Sequence, residues 1–280
     1  MDEQKKVVAI ALTIIVVIAI AGAIYYFAVM KRHQPGSGET GEQAGAAKPE
    51  SAETSGGAKT PAGETIPLPP VALDDSDPVV RDHAGALSVD ALFSRWLQTK
   101  NLVRTFVVVV DNVANGQNPR SHIDFFEPSG KFKVLFQKGG TIIDEKSYAR
   151  YDPVAEVAAS VDAHAAAVLY RSLKPLIQDA YKDLGYPGQD FSDTLVQAIS
   201  RLLETPDVAG PVRLEKKVIS FTMTDDALEG LSPAQKQLLR MGPKNVKMIQ
   251  AKLREFAAAL GIPEARLPQT PVYGTPEKQR

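Results

Sequence analysis

The sequence predicts a mainly α-helical (α+β) domain joined through a flexible linker to an N-terminal transmembrane helix. Three observations predict it: a long uncharged segment near the N-terminus, a following stretch poor in large apolar residues, and apolar residues at mostly helical spacing beyond it. We expect one small antiparallel β element within the domain. The predicted boundaries are a short tail over residues 1–6, the transmembrane helix over 7–30, the low-complexity linker over 31–73, the globular domain over 74–262 and a loose tail over 263–280.

The transmembrane helix is predicted because residues 7–30 form a run of 24 residues without a charge. As a helix this run would measure about 36 Å, against a hydrocarbon core of about 30 Å. A buried core helix is one alternative, and a cleaved signal peptide with small residues at 19–21 or 21–23 is another. The apolar run continues well past a signal-peptide core of about 7–15 residues, which favours an uncleaved anchor.

Charge does not orient this span, because Lys5 and Lys6 on one side balance Lys31 and Arg32 on the other. The short N-terminal tail favours a cytoplasmic N-terminus with the domain exported. The first predicted partner is therefore the lipid bilayer, through residues 7–30.

Overall composition excludes several classes of function. The net charge of −1 provides no basic field for nucleic acid, so no nucleic-acid partner is predicted. The absence of cysteine excludes disulfides, thiolate nucleophiles and cysteine-ligated metals.

The linker is predicted to be disordered over residues 33–65, which are rich in Gly, Ala, Ser, Glu, Thr and Pro. Such a segment cannot bury enough apolar surface to offset the entropy of ordering. Residues 66–70 alternate apolar residues with proline and should be extended.

The first part of the domain is predicted to hold three helices. Asp77 should cap a helix that has Pro78 at its first position and runs to about Ala86, and Ser88 should cap the next helix. The segment 102–113 has strand composition in its valine run but helical spacing of its other apolar residues, which favours a helix. One face of the second helix should be apolar through Leu92, Phe93, Trp96 and Leu97.

Strands are predicted at residues 123–125, 132–136 and 141–143, with turns at Pro128-Ser129-Gly130 and Gly139-Gly140. Residues 212–223 should form one further strand.

Helices dominate the remainder. One should run from Pro153 to Leu184 with a kink or division at Pro175. A second should end before Pro206. Ser232-Pro233-Ala234-Gln235 has the form of a capping box, and two short helices should flank Gly242-Pro243 before the last one closes at Gly261.

Candidate functional residues are few, because the sequence contains no motif for catalysis, cofactors or metals. No catalytic, cofactor-binding or metal-binding residue is predicted and no cofactor is expected. Tyr151, Asp152 and Tyr186 could supply hydroxyl and carboxylate groups to a binding cleft, whereas the neighbouring Pro and Gly residues favour a structural role. The last helix is basic through Lys244, Lys247, Lys252 and Arg254, which predicts a solvated face or, less favoured, a headgroup or partner surface.

Residues spaced through the domain carry a family resemblance. They are Phe106, Val110-Asp111-Asn112, Tyr151-Asp152-Pro153, Tyr170-Arg171, Tyr181, Leu184-Gly185-Tyr186-Pro187-Gly188, Thr205-Pro206, Gly210-Pro211 and Leu239-Arg240-Met241-Gly242-Pro243. This series resembles the bacterial domain-of-unknown-function family 3014 over roughly residues 68–260. The resemblance implies one N-terminal span, a low-complexity linker and then this domain, in a bacterial envelope setting, and it implies no assigned activity. Together with the orientation favoured above, it predicts a single-span protein of the bacterial inner membrane with its domain in the periplasm.

Three hypotheses about function follow. The preferred one is a non-enzymatic, membrane-anchored envelope protein that presents an interaction domain to an envelope protein partner. The alternatives are a membrane-tethered enzyme acting on an envelope polymer through Asp152 or Asp111, and a module that binds a small molecule or lipid between the helices.

Overall fold

The computed structural model describes residues 63–119, 130–218 and 220–274. The predicted transmembrane helix over 7–30, most of the predicted linker and the predicted strand over 123–125 lie outside the described residues. Within the described ranges, no helix combines the length and apolar character that crossing a membrane requires.

The described chain forms a mainly helical domain with a small antiparallel sheet, as the sequence predicts. In chain order the helices are α1 (Asp77–Ala84), α2 (Ala91–Trp96), α3 (Leu102–Ala114), α4 (Glu145–Ala149), α5 (Asp152–Ser160), α6 (Ala163–Asp183), α7 (Phe191–Leu203), α8 (Asp226–Glu229), α9 (Pro233–Leu239) and α10 (Pro243–Ala259). The strands are β1 (Val134–Gln137), β2 (Gly140–Ile143), β3 (Asp207–Val208), β4 (Arg213–Lys216), β5 (Phe221–Met223) and β6 (Val272–Tyr273).

The main core lies among the helices. Helix α3 packs against α6 and α7, and α10 packs against α5, α6 and α7. The segment with ambiguous composition is therefore a helix, which confirms the favoured prediction. Its strand-like valines suit a central helix because neighbours cover it on several sides, and the following six side chains are each at most 1% exposed: Val103, Phe106, Val107, Val109, Val110 and Val113.

Two predicted helix caps are corrected by the structure. The Asp77 carboxylate accepts hydrogen bonds from the amides of Asn101 (2.7 Å) and Leu102 (2.8 Å), so it caps α3 rather than its own helix. The cap of α2 is Asp90, which accepts from the amide of Leu92, whereas Ser88 accepts from the amide of Asp90 itself.

The helix predicted from Pro153 to Leu184 is divided at Val161, not at Pro175. Val161 has extended backbone angles, and the Asp162 carboxylate accepts from the amide of Ala165 to begin α6. Pro175 lies inside α6, which continues through it. The division between α5 and α6 is determined by the Asp162 side chain, which satisfies a backbone amide that would otherwise lack a partner at the start of α6. The periodicity of apolar residues continues across this division and therefore does not indicate it.

The four-stranded sheet has the order β1-β2-β4-β5 with antiparallel pairing throughout. The segment predicted as one strand over 212–223 is a hairpin, because the chain turns between Lys217 and Ser220. The sheet covers a second, smaller apolar cluster that also includes Leu228 of α8 and Leu239 of α9.

Both predicted flexible ends of the domain pack against it where they are described. Ile66, Leu68 and Leu73 contact the helical core, and the amide of Ile66 donates to the Ser172 hydroxyl at 2.8 Å. Near the C-terminus, Leu267 is buried and β6 pairs in parallel with β3. The predicted loose tail is therefore wrong for residues 264–274, and the predicted linker extends too far at its C-terminal end.

Candidate functional site

The Tyr-Asp-Pro segment lies at the junction of α4 and α5, against the junction of α9 and α10. The Asp152 carboxylate accepts from the Asn245 amide nitrogen at 2.9 Å and faces the Lys244 ammonium at 3.1 Å. Asn245 also donates to the carbonyls of Met241 (2.9 Å) and Tyr148 (3.3 Å). Both oxygens of Asp152 are thus engaged in joining the two junctions.

Tyr151 is 1% exposed and lies inside this junction. Its hydroxyl accepts from the Gln237 amide nitrogen at 3.3 Å, and the Arg150 guanidinium lies 5.4 Å from the ring centroid, in cation–π range. Burial lowers the pKa of the nearby Arg240 guanidinium, whereas its electrostatic interactions with the Tyr151 phenol and the Glu229 carboxylate act in the opposite direction. The phenol group is therefore surrounded by polar and cationic side chains of α9 and of the α4–α5 turn.

Gly242 brings the two junctions into direct contact. Its φ of +87° lies in a region that favours glycine, and a Cβ there would stand 2.5 Å from Cγ of Tyr148. The Met-Gly-Pro segment is therefore shaped to receive the Tyr148 ring. This close approach explains why a glycine precedes Pro243 at the start of α10.

Tyr186 belongs to a second cluster, beside α3, α6 and α7. Its ring stacks on Tyr181 with centroids 4.6 Å apart, and the Tyr181 hydroxyl lies 2.8 Å from the Thr194 hydroxyl. Burial raises the pKa of Asp111, although hydrogen bonds from Tyr186 and Asn115 oppose that rise. The Asp111 charge in turn raises the pKa of Tyr186.

The three predicted cleft residues are therefore divided between two clusters. Tyr151 and Asp152 lie together at the helix junctions, whereas the partners of Tyr186 are Tyr181, Asp111 and Asn115. Their role in binding stays a prediction.

The basic face predicted on α10 is engaged in ion pairs. Each of its four cations faces a carboxylate: Lys244 with Asp152, Lys247 with Asp207, Lys252 with Glu255, and Arg254 with Glu264. This pairing neutralises much of the face and agrees with the solvated-face interpretation.

Gln250 is a structural residue that the sequence analysis missed. It is buried in α10, and its amide nitrogen donates to the carbonyls of Leu202 (3.0 Å), Leu203 (3.3 Å) and Thr205 (2.9 Å). It thereby satisfies carbonyls at the C-terminus of α7. A signal in the sequence could have identified it: Gln250 is a polar residue on the apolar stripe of α10, beside Ile249 and one turn from Val246 and Leu253.

The described residues contain no group of three His, Asp or Glu side chains arranged to hold a metal ion. A family model described as "Protein of unknown function (DUF3014)" matches residues 102–257. The chain belongs to this family. The DUF3014 match runs from α3 into α10, so it contains both clusters described above. Residues 66–73 and 264–274 lie outside the DUF3014 match and pack against it. No curated protein and no solved structure gives a significant match to the chain.

Proposed function

We propose that this DUF3014 protein is a single-span, membrane-anchored protein of the bacterial envelope that presents its domain to a protein partner without catalysing a reaction. The observation that carries the proposal is the uncharged run over residues 7–30, followed by a domain whose packed residues begin at Ile66. A run of 24 uncharged, mostly apolar residues suits a bilayer span.

The way the domain begins supports a tethered arrangement. Ile66 hydrogen-bonds through its amide to Ser172 in the middle of α6, and Leu68 and Leu73 pack nearby. The chain therefore has a defined point of attachment on the longest described helix. A flexible coil of the 35 residues between positions 30 and 66 would reach roughly 30–35 Å.

The use of the motif side chains supports presentation of a surface rather than catalysis. Asp152 holds Asn245 and Lys244, and the Tyr151 hydroxyl faces Gln237 within the protein. A general acid or base must reach a substrate proton, whereas these groups are engaged with other side chains.

Membrane anchoring is tested by extraction of cell membranes with alkaline carbonate. The full-length chain should stay in the membrane pellet, and a variant without residues 7–30 should be released. N-terminal sequencing of the pelleted protein provides the control for cleavage. Release of the full-length chain by carbonate, or a mature N-terminus beyond residue 23, would refute the anchor.

Presentation to a partner is tested by photo-crosslinking in cells from single exposed positions around the domain. Val89, Leu184 and Val272 are suitable because each side chain is exposed and they lie in different parts of the domain: before α2, just after α6 and in β6. A subset of positions should give the same crosslinked protein, and deletion of residues 7–30 should remove that product. Absence of any crosslink from the full-length chain would count against presentation.

The enzymatic alternative is tested by Asp152→Asn. The asparagine removes the carboxylate and keeps an acceptor for Asn245, so the fold should survive. Loss of the cellular phenotype in a folded variant that still crosslinks to the partner would contradict the non-enzymatic proposal.

A further inference from the structure

Two turns lie side by side at one end of the four-stranded sheet. Thr141 of β2 pairs with Leu214 of β4 in antiparallel register, so β2 begins where β4 ends, and the β1–β2 turn adjoins the β4–β5 turn. The Arg213 guanidinium donates to the Gly139 carbonyl and joins the two hairpins. We call residues 135–139 and 213–218 the sheet tip.

The sheet tip exposes apolar side chains. Phe136 is 78% exposed, Val218 is 97% exposed and Leu135 is 43% exposed. By register, Phe136 lies on the same face of the sheet as Leu214 and Met223, which are buried in the smaller apolar cluster. The apolar face therefore continues past the core and ends in solvent. Leu135 pairs with Ile142 and Arg213 and so lies on the opposite face of the sheet from Phe136. Single exposed apolar residues are ordinary, but Phe136 and Val218 are both almost fully exposed at the same end of the sheet, and we take them to mark a contact surface.

The sheet tip is also basic. Lys138, Arg213, Lys216 and Lys217 are exposed there, against one acidic residue, Glu215, which pairs with Lys217 at 2.7 Å. Among the described residues, neither Lys138 nor Lys216 has a carboxylate within ion-pairing distance, in contrast to the four paired cations of α10.

We propose that the sheet tip docks on an anionic phospholipid bilayer, with Phe136 and Val218 entering the boundary between headgroups and acyl chains. Apolar side chains in and beside the two turns, flanked by lysines, match the depth profile of that boundary, where ammonium groups meet lipid phosphates. A stable protein interface buries about 800 Å² on each partner. The side chains of Phe136, at the end of β1, and Val218, in the β4–β5 turn, provide far less, whereas a weak bilayer contact needs only a small surface on a tethered domain.

This inference rests on the proposed membrane anchor, because the anchor is what makes a weak contact between the sheet tip and the bilayer populated. An anchor confines the domain near the bilayer, so a contact too weak to recruit a free protein becomes populated by effective concentration. Docking through the sheet tip would fix one orientation of the domain and leave the helical side of the domain facing away from the lipid.

The contact is tested with site-specific fluorescence, which is practical because the chain contains no cysteine. Val218→Cys and, as a matched control on another element, Val89→Cys are labelled with an environment-sensitive dye in the full-length chain. Each protein is reconstituted into vesicles of phosphatidylcholine alone or with phosphatidylglycerol, and lipids carrying a quencher are included. The dye at position 218 should be quenched and blue-shifted in anionic vesicles, and the dye at position 89 should not.

The electrostatic part is tested in the Val218→Cys background with Lys138→Gln/Lys216→Gln. Each cation near an anionic surface contributes about 1 kcal/mol, or about fivefold, to binding, so this pair should lower the docked-to-undocked ratio by roughly 30-fold. The control pair Lys100→Gln/Lys146→Gln removes the same charge from exposed positions outside the sheet tip. Emission of the single tryptophan, Trp96, verifies that each variant is folded.

The outcomes separate this inference from the proposed anchor. Equal quenching at positions 218 and 89, or equal effects of the two lysine pairs, would overturn lipid docking even if the chain resists carbonate. Crosslinking of position 218 to one protein in cells, without lipid quenching, would assign the sheet tip to a protein partner and also overturn it. If carbonate releases the chain, quenching of vesicle-bound protein still decides the lipid contact.

Discussion

Replacing Gly242 by alanine should destabilise the domain strongly through a close contact between two helix junctions. With φ +87° and ψ 159°, Gly242 occupies a backbone region that is essentially restricted to glycine. Placing a residue with a Cβ in such a region costs about 1–3 kcal/mol. The added methyl would also lie 2.5 Å from Cγ and 2.7 Å from Cβ of Tyr148. Overpacking of this kind costs about 1–3 kcal/mol more.

The expected loss for Gly242→Ala is therefore about 2–6 kcal/mol, out of a total of about 5–15 kcal/mol for an ordinary domain. Gly261→Ala is the matched control, because Gly261 also has a positive φ of +83° but no heavy atom within 4 Å of the place that an added Cβ would occupy. It should cost only about 1–2 kcal/mol. Both changes restrict the unfolded chain equally, so that contribution cancels in the comparison.

Urea unfolding followed by Trp96 fluorescence provides the measurement. Trp96 is the single tryptophan and is 6% exposed, so its emission reports on the domain even when the full chain is held in mild detergent. Equal shifts of the two unfolding midpoints at equal slopes would refute the reasoning, because the clash with Tyr148 would then contribute nothing.

The same unfolding assay tests three further predictions. Tyr181→Phe should cost about 1–2 kcal/mol by leaving the buried Thr194 hydroxyl without its 2.8 Å partner, and adding Thr194→Val should recover part of that loss. Asp190→Ala should cost about 1 kcal/mol at neutral pH by removing the cap of α7. The amide of Ser192, and less strongly the ammonium of Lys174, hold the pKa of Asp190 in the folded protein below its usual value of 3.8. The carboxylate therefore stabilises the fold above pH 3.8, and this contribution is lost as the pH falls through the lower pKa of the folded state. The difference in free energy of unfolding between the unchanged protein and Asp190→Ala should therefore decrease as the pH is lowered. A difference that stays constant with pH would contradict this prediction. Gln250→Leu should cost about 2–3 kcal/mol by leaving buried carbonyls without donors, whereas a neutral effect would mean that water replaces the amide.

The confirmed predictions concern features in which the local sequence and the packing of the domain favour the same structure. The hairpin of β1 and β2 was predicted from Gly139-Gly140, and the chain does reverse there: Gln137 pairs with Gly140, and Gly140, the first residue of β2, has the positive φ that glycine adopts readily. The capping box at Ser232 and Gln235 is formed as predicted, since both hydrogen bonds are local.

Two predictions were wrong because the interaction that determines the structure leaves no mark in the pattern of residue types. The turn between β4 and β5 begins at Lys217-Val218 and contains no Gly, Pro, Asn or Asp, so the segment read as one strand. The tail from Pro263 was predicted to be loose because it is rich in proline, yet Tyr273 is held by parallel pairing with β3.

The candidate site was predictable only in part. Tyr151 and Asp152 stood out as a motif, but their partners are distant along the chain: Gln237 is 86 residues from Tyr151, and Asn245 is 93 residues from Asp152. Contacts at that separation depend on how the helices pack, which single-sequence periodicity does not report.

The division of the apolar interior into two clusters determines which part of the domain unfolds first in local fluctuations. The adjacent residues Leu238 and Leu239 of α9 face different clusters, the first the helical one and the second the one beneath the sheet. Because the cluster beneath the sheet is much smaller, we expect β1, β2, β4 and β5 to open by sub-global unfolding while α3 and α6 stay closed. Amide protons in these strands should then exchange with solvent before those of the central helices, with α9 as the boundary between the two cooperative units.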